Sequence, residues 1–126
     1  MARREDRLSA IAGEIRADYG VDYQLIVADL SESDAGAQIS STCLSASWQF
    51  SWLINNAGVA GPDLLKDRDW ATQQTFFQLM ILSVGDLCHR MIPGVAERGY
   101  GHVINVECVA ARAPRSGGCN YGPAKT

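Results

Sequence analysis

Phe50-Ser51-Trp52-Leu53-Ile54-Asn55-Asn56-Ala57-Gly58 is the stretch from which the fold can be worked out. A mostly apolar run, rich in residues that favour strands, ends abruptly in two asparagines and a glycine, which favour turns. This predicts a strand over residues 50–54 and a turn at 55–58. Upstream, residues 23–28 (Tyr-Gln-Leu-Ile-Val-Ala) form a second short apolar run, ended by Asp29, which suits a buried parallel strand. Farther back, Leu8, Ile11, Ala12, Ile15 and Tyr19 recur at helical spacing over residues 4–19, and Gly20 stands where such a helix would stop. Ser31-Glu32-Ser33-Asp34 offers helix caps, and residues 34–47 are read as helical. Downstream, Gly61-Pro62 breaks the backbone. Asp67 or Asp69 can then cap a long helix running through Trp70, Phe77, Met80, Ile81, Val84 and Leu87 to about residue 89, and Pro93-Gly94 is expected to end or kink it. Residues 102–106 read as a third strand, 114–118 as a loop, and Tyr121 as the opening of another helix. Strands that alternate with helices imply parallel crossover units in a layered α/β sheet.

The 126 residues, 47% hydrophobic and 20% charged, suit one ordinary globular domain. A net charge of -3 with no long basic block argues against nucleic acid or an anionic membrane surface as partner. No uninterrupted apolar run approaches the roughly 18 residues that span a bilayer. The charged start, Met1-Ala2-Arg3-Arg4-Glu5-Asp6-Arg7, has no signal-type apolar core behind it. A cytoplasmic location is expected. Cys43, Cys88, Cys108 and Cys119 lie far apart without metal-ligand spacing, so reduced thiols are the default and no metal site is indicated. His89 and His102 have no plausible nucleophile beside them in sequence and read as surface or boundary residues.

Tyr121-Gly122-Pro123-Ala124-Lys125 carries the chemistry. A phenol and an ammonium four positions apart sit one above the other on a helix face. Lys125 could therefore lower the pKa of Tyr121 from about 10 toward neutrality. A ketone accepting hydride at carbon develops charge on oxygen and needs a proton donor there. Such a pair alone is commonly just solvated helix surface, so its context matters. Asn55-Asn56-Ala57-Gly58, then Gly101-His102-Val103-Ile104-Asn105-Val106, then Tyr121 and Lys125, in this order and spacing, resemble the short-chain dehydrogenase/reductase family.

The resemblance implies an incomplete doubly wound parallel sheet, a partial NAD(P)-binding Rossmann fold. It implies hydride transfer between a nicotinamide cofactor, NADP or NAD, and a small-molecule ketone or secondary alcohol. Tyr121 would be the general acid or base, and Lys125 would lower its pKa and bind the nicotinamide ribose. Asn56, Ala57 and Gly58 would border the adenosine part of the cofactor. Arg3 and Arg4 correspond to a segment where arginine favours NADP by pairing with the ribose phosphate, the plainer reading being a solvated helix start. Asp29 corresponds to a position where a carboxylate meets the adenine amino group, although it would also cap the next helix.

Two of the four residues expected in the catalytic set depart from the family. Thirteen positions before Tyr121, where a serine hydroxyl would hold the substrate oxygen, stands Cys108. Its thiol is a larger and weaker donor. Where an asparagine would complete a proton relay stands Met80, whose natural place is the core beside Phe77 and Val84. No GxxxGxG or GxGxxG turn, which would aim backbone amides at a pyrophosphate, occurs in the 126 residues. The resemblance thus covers the middle of the family fold, and a central strand between residues 23–28 and 50–54 is expected to be absent, leaving unpaired strand edges. Apolar surface at Trp52, Phe77, Leu79 and Val106 is expected to lie uncovered. The expectation is a chain inactive by itself. The alternative is a noncatalytic protein whose open sheet edges pair with a related full-length subunit.

Overall fold

The computed structural model describes residues 1–111 and 120–125. The loop expected at 114–118, Cys119 and Thr126 lie outside the described residues. Helix α1 (Glu5–Tyr19) forms where the apolar spacing placed it, and Gly20 ends it at φ 65°, its N–H donating to the Arg16 carbonyl at 2.9 Å. Its apolar stripe is mostly uncovered. Ala12 is buried, whereas Ile11, Ile15 and Tyr19 are exposed.

The strand expected at residues 23–28 does not form. A single parallel bridge joins Val27 to Ala2, with the Ala28 N–H donating to the Ala2 carbonyl at 3.2 Å. The segment's side chains had suggested pairing, but pairing needs a neighbouring strand on at least one edge, and the described residues supply only Ala2. Helix α2 (Ala35–Ser45) follows, with Asp34 at its N-cap position.

Strands β1 (Trp52–Asn55) and β2 (His102–Asn105) pair in parallel, with Trp52 opposite His102 and Asn55 opposite Asn105. Between them run α3 (Trp70–Phe77), a single π-turn (Gln78–Leu82) and α4 (Ser83–Glu97), which together make the crossover that a parallel pair requires. Asp69, rather than Asp67, caps α3 by accepting from the backbone N–H groups of Ala71 and Thr72, each at 3.2 Å. Pro93 does not end α4, which continues to Glu97. Proline forfeits one backbone donor, but Leu87, Met91 and Val95 are buried along one face and hold the helix through it. The combined helix, Trp70–Glu97, is 28 residues long with a mean hydropathy of 1.2 over its most apolar window, sufficient in length and composition to span a membrane. It contains no uninterrupted apolar run of that length, since Gln78, Ser83, Asp86, His89 and Arg90 interrupt it. Here it is the core helix.

Leu30, Ala35, Ile39, Leu53, Leu87 and Met91 form the interior, where α2, α4 and β1 meet, with Ile26 and Ala28 packed against them. Apolar surface remains uncovered, as expected at Trp52 and Val106, while Phe77 and Leu79 are half-buried. The chain exposes 8646 Å², against about 6,600 Å² for a folded monomer of 13.6 kDa.

Two predictions test this architecture. Leu87→Ala, at a position 2% exposed, should cost about 2–5 kcal/mol in denaturant unfolding. Ile81→Ala, on the 44% exposed face of the same long helix, should cost much less; equal losses would contradict the packing. The Thr72 hydroxyl, then the Ala71 and Thr72 backbone N–H groups, hold the Asp69 carboxyl below its ordinary value of 3.8. A carboxyl depressed in the folded state strengthens the fold fully above its unfolded pKa, and that contribution is lost as pH falls through the folded one. Asp69 should therefore titrate below 3.8 by NMR, with amide exchange at Ala71 and Thr72 rising in the same window. A midpoint at or above that value contradicts the cap.

Candidate cofactor cleft and proton-transfer turn

Parallel pairing puts the C-terminal ends of β1 and β2 side by side, so the segments that leave them start from one place. Asn55 Nδ2 donates to Asn105 Oδ1 at 2.8 Å across the last paired position and also lies 3.4 Å from Cys88 Sγ on α4. Beyond Asn55 the backbone borders a cleft of about 850 Å³. Arg3, Arg4, Asp29, Asn56, Ala57 and Gly58 all line it, and Ile54, Leu79, Val84 and Leu87 form its apolar wall. Six residues picked from three separate stretches of sequence therefore share one concavity.

The charged side of the cleft is ordered around Asp29. Its carboxylate accepts from the Ser31 hydroxyl at 2.6 Å and from the Ser31 N–H at 3.0 Å, and Arg3 Nη1 approaches at 3.4 Å. The Ser31 hydroxyl, followed by its N–H, holds the Asp29 carboxyl below the usual carboxylate range, with Arg3 adding to this and partial burial opposing it. Asp29 thus closes its own turn, and Asp34 instead occupies the cap position of α2. The Arg3 side chain is largely exposed, so the ion pair contributes little to stability. Arg4, at the N-cap position of α1, makes no ion pair among the described residues.

At the other edge, the Lys125 and Met80 side chains flank Gly58. A Cβ there would stand 3.3 Å from Lys125 Nζ and 3.5 Å from Met80 Sδ. Lys125 Nζ donates to the Val106 carbonyl at 3.1 Å, just past β2. Met80 is buried in the π-turn, and its sulfur also accepts from the Val59 N–H at 3.4 Å. It packs in the core, as the sequence suggested, while holding the loop after Gly58.

Tyr121 opens helix α5 (Tyr121–Ala124). A Cβ on Gly61 would come within 3.0 Å of the Tyr121 Cβ and 3.1 Å of its backbone nitrogen, so the loop after the Asn-Asn-Ala-Gly turn packs directly on the tyrosine. Cys108 is half-buried, and its carbonyl accepts from the Ala111 N–H at 2.8 Å, closing a one-turn 3₁₀ segment (Val109–Ala111). Lys125 thus lies against Gly58, a lining residue, without itself lining the cleft. Tyr121 and Cys108 do not line it. His89 and His102 are both exposed, and His102 stacks on Trp52 with ring centroids 4.2 Å apart. Among the described residues, no cluster of three or more potential metal-ligating side chains occurs.

A nicotinamide dinucleotide fits these residues in part. The bare Gly58 surface, the arginines and Asp29 suit the adenosine end, and Lys125 would hold a ribose hydroxyl. Nothing in the sequence supplies a Gly-rich turn for the pyrophosphate. Sequence reasoning missed three contributors: Gly61 beneath Tyr121, the Met80 sulfur on Val59, and a hydrogen bond from Asn120 Nδ2 to Gln73 Oε1 at 3.2 Å. Only the Gly61-Pro62 pair carried any signal, as a backbone break.

Comparison with known proteins supports the same reading. The family model described as short chain dehydrogenase matches residues 1–126. An uncharacterized oxidoreductase of Mycobacterium tuberculosis is 36% identical over 124 residues, covering 93% of this chain and 36% of that protein. The acetoacetyl-CoA reductase of Allochromatium vinosum is 27% identical over 112 residues, covering 89% and 46% respectively. The chain therefore spans between a third and a half of the length of these relatives. Among solved structures, a metagenomic short-chain oxidoreductase in complex with NADP superimposes with a TM-score of 0.85 at 29% identity, over 98% of this chain and 56% of that one. A short-chain dehydrogenase from Sphingobium yanoikuyae in complex with NADPH gives 0.85 at 26% identity, over 98% and 49%. The observed layers are thus part of a doubly wound Rossmann sheet, and the chain belongs to the short-chain dehydrogenase family of oxidoreductases.

Proposed function

We propose that these residues form the part of an NAD(P)-dependent oxidoreductase that receives the adenosine end of the cofactor and moves the proton in ketone and secondary alcohol interconversion. The carrying observation is the approach of Lys125 to Gly58 at the edge of the cleft. The relative named for reducing acetoacetyl-CoA, itself a ketone, supports the substrate class. A reduced nicotinamide, when bound, supplies the hydride.

The chain's own groups do the remaining work. As negative charge develops on the carbonyl oxygen, the Tyr121 hydroxyl donates its proton to that oxygen, and the Lys125 ammonium stabilises the phenolate left behind. In alcohol oxidation the same proton returns to the phenolate. Cys108 holds the substrate oxygen through a thiol, a weaker donor than the serine hydroxyl of the family pattern. Met80, a thioether, relays no proton. Arg4, without an ion-pair partner among the described residues, is the better placed guanidinium for a ribose phosphate, which favours NADP over NAD. In isolation, without a pyrophosphate cradle, the 126 residues do not turn over. A cytoplasmic setting, where NADPH is kept reduced, suits this chemistry.

A second reading is favoured by the free edge of β1, which among the described residues pairs only with β2, and by 58% exposure of Ile54 on it. Here the chain adds to the sheet of a related full-length subunit and acts without catalysis. Slowed amide exchange along residues 52–55 in a mixture with such a subunit supports it, and unchanged exchange counts against it.

Titration with adenosine 2′-phosphate, followed by NMR, tests the cleft without needing the missing cradle. Shifts should concentrate at Arg3, Arg4, Asp29 and residues 56–58, and Arg4→Ala should weaken binding about tenfold, roughly the loss of one charge-assisted contact. Shifts confined to other surfaces would sink the cofactor assignment. With NADPH and a panel of ketones the chain should show no cofactor consumption. Turnover abolished by Tyr121→Phe would overturn the inactivity and uphold the chemistry, whereas turnover surviving that change would sink the chemistry.

A further inference from the structure

Helix α5 has four residues, too few to hold its own shape, since one hydrogen-bonded turn is costly to nucleate. Something outside it must set where Tyr121 stands. Gly61 limits its approach from one side, and the Lys125 ammonium is tied to Val106 at the far end. The start of the helix is tied elsewhere. Asn120, its N-cap residue, makes no side-chain capping bond and instead donates from Nδ2 to Gln73 Oε1 on α3, 47 positions away.

Gln73 is an unusual residue for its position. It is 4% exposed beside buried Phe76, and its Nε2 has no hydrogen-bond partner among the described residues. An unsatisfied buried amide donor costs about 1–3 kcal/mol, whereas an apolar side chain of the same length would fill this space without that cost. Among the described residues, the hydrogen bond this side chain makes is to the residue preceding Tyr121.

We propose that Gln73 is a positioning residue: its amide latches Asn120 and so fixes the first turn of α5, and with it Tyr121, against the loop at Gly61. The proposal rests on reading Tyr121 as the proton-transfer residue, but the latch itself is tested without cofactor or substrate. The reporters are the Ala124 N–H, which donates to the Asn120 carbonyl at 3.1 Å, and the Lys125 N–H, which donates to the Gly122 carbonyl at 3.0 Å.

Amide exchange and the ring-carbon resonance of labelled Tyr121 are followed by NMR in Gln73→Met, which keeps the length and removes the amide. Exchange at Ala124 and Lys125 should rise at least fivefold and the Tyr121 resonance should move, with exchange along Ser83–Glu97 unchanged. Asn120→Ala, which leaves α3 intact, should do the same, and the double variant should add nothing further. Asn120→Asp should keep the protection, because its carboxylate can accept from Gln73 Nε2, and should lose it when combined with Gln73→Met. Unchanged exchange at both reporters, or an equal rise along the whole of α3 and α4, overturns the latch. Loss of Tyr121 chemistry as a premise is a separate result, read from Tyr121→Phe in the carbonyl assay.

Discussion

Asn55 and Asn105 face one another at the last paired position of two four-residue strands, joined side chain to side chain at 2.8 Å. Because the strands are parallel, both chains leave the sheet in the same direction from that point. One continues as the Asn-Asn-Ala-Gly turn, and the other as Val106 and the segment leading to Tyr121. An antiparallel pair would send these segments to opposite ends. Parallel pairing requires a long crossover, and the helix from Trp70 to Glu97 supplies it while burying Phe76, Met80, Leu87, Met91 and Val95.

The same economy explains what the fold lacks. Among the described residues the sheet has two strands, and residues 23–28 pack on the core through Ile26 and Ala28, bridged only to Ala2 and not joined to the sheet. The cleft lies where that segment, β1 and the start of α1 face each other. Its charge comes from the segment ends: Arg3 and Arg4 ahead of α1, and Asp29 after the extended run. An apolar wall with a charged rim of two arginines and a carboxylate is the feature on which the proposed cofactor reading rests. It also leaves hydrophobic surface open, which is why an interaction partner remains a coherent second reading.

Much of this was legible in local sequence, and the rest was not for identifiable reasons. The periodicity of Leu8, Ile11, Ala12 and Ile15, the glycine at 20 and the apolar runs ending at Ile54 and Val106 are local signals, and the elements formed there. Residues 23–28 carried the same kind of signal, yet pairing depends on what lies alongside. Pro93 read as a helix stop or kink, and it is not a stop, because burial of Met91 and Val95 outweighs one lost backbone donor. The resemblance brought Arg3, Arg4, Asp29, residues 56–58 and Lys125 forward as a set, and the structure brings all but Lys125 into one cleft, leaving Tyr121, Cys108 and Lys125 outside its walls. Gln73 was invisible because a glutamine within a helix reads as solvent-facing until its partner, far away in sequence, is known.

Gly58 borders the cleft on one side and meets the Lys125 side chain on the other. A Cβ at Gly58 would stand 3.3 Å from the Lys125 ammonium and 3.5 Å from the Met80 sulfur, so both groups flank its α-carbon. The most direct measurement is the nuclear Overhauser effect between the Gly58 α-protons and the Lys125 ε-protons in uniformly labelled protein. A clear cross-peak between them, accompanied by one from the Gly58 α-protons to the Met80 methyl group, is the predicted result. Lys125 ε-protons that contact only solvent or a different face of the fold would contradict the convergence of the cleft and the Tyr121–Lys125 turn.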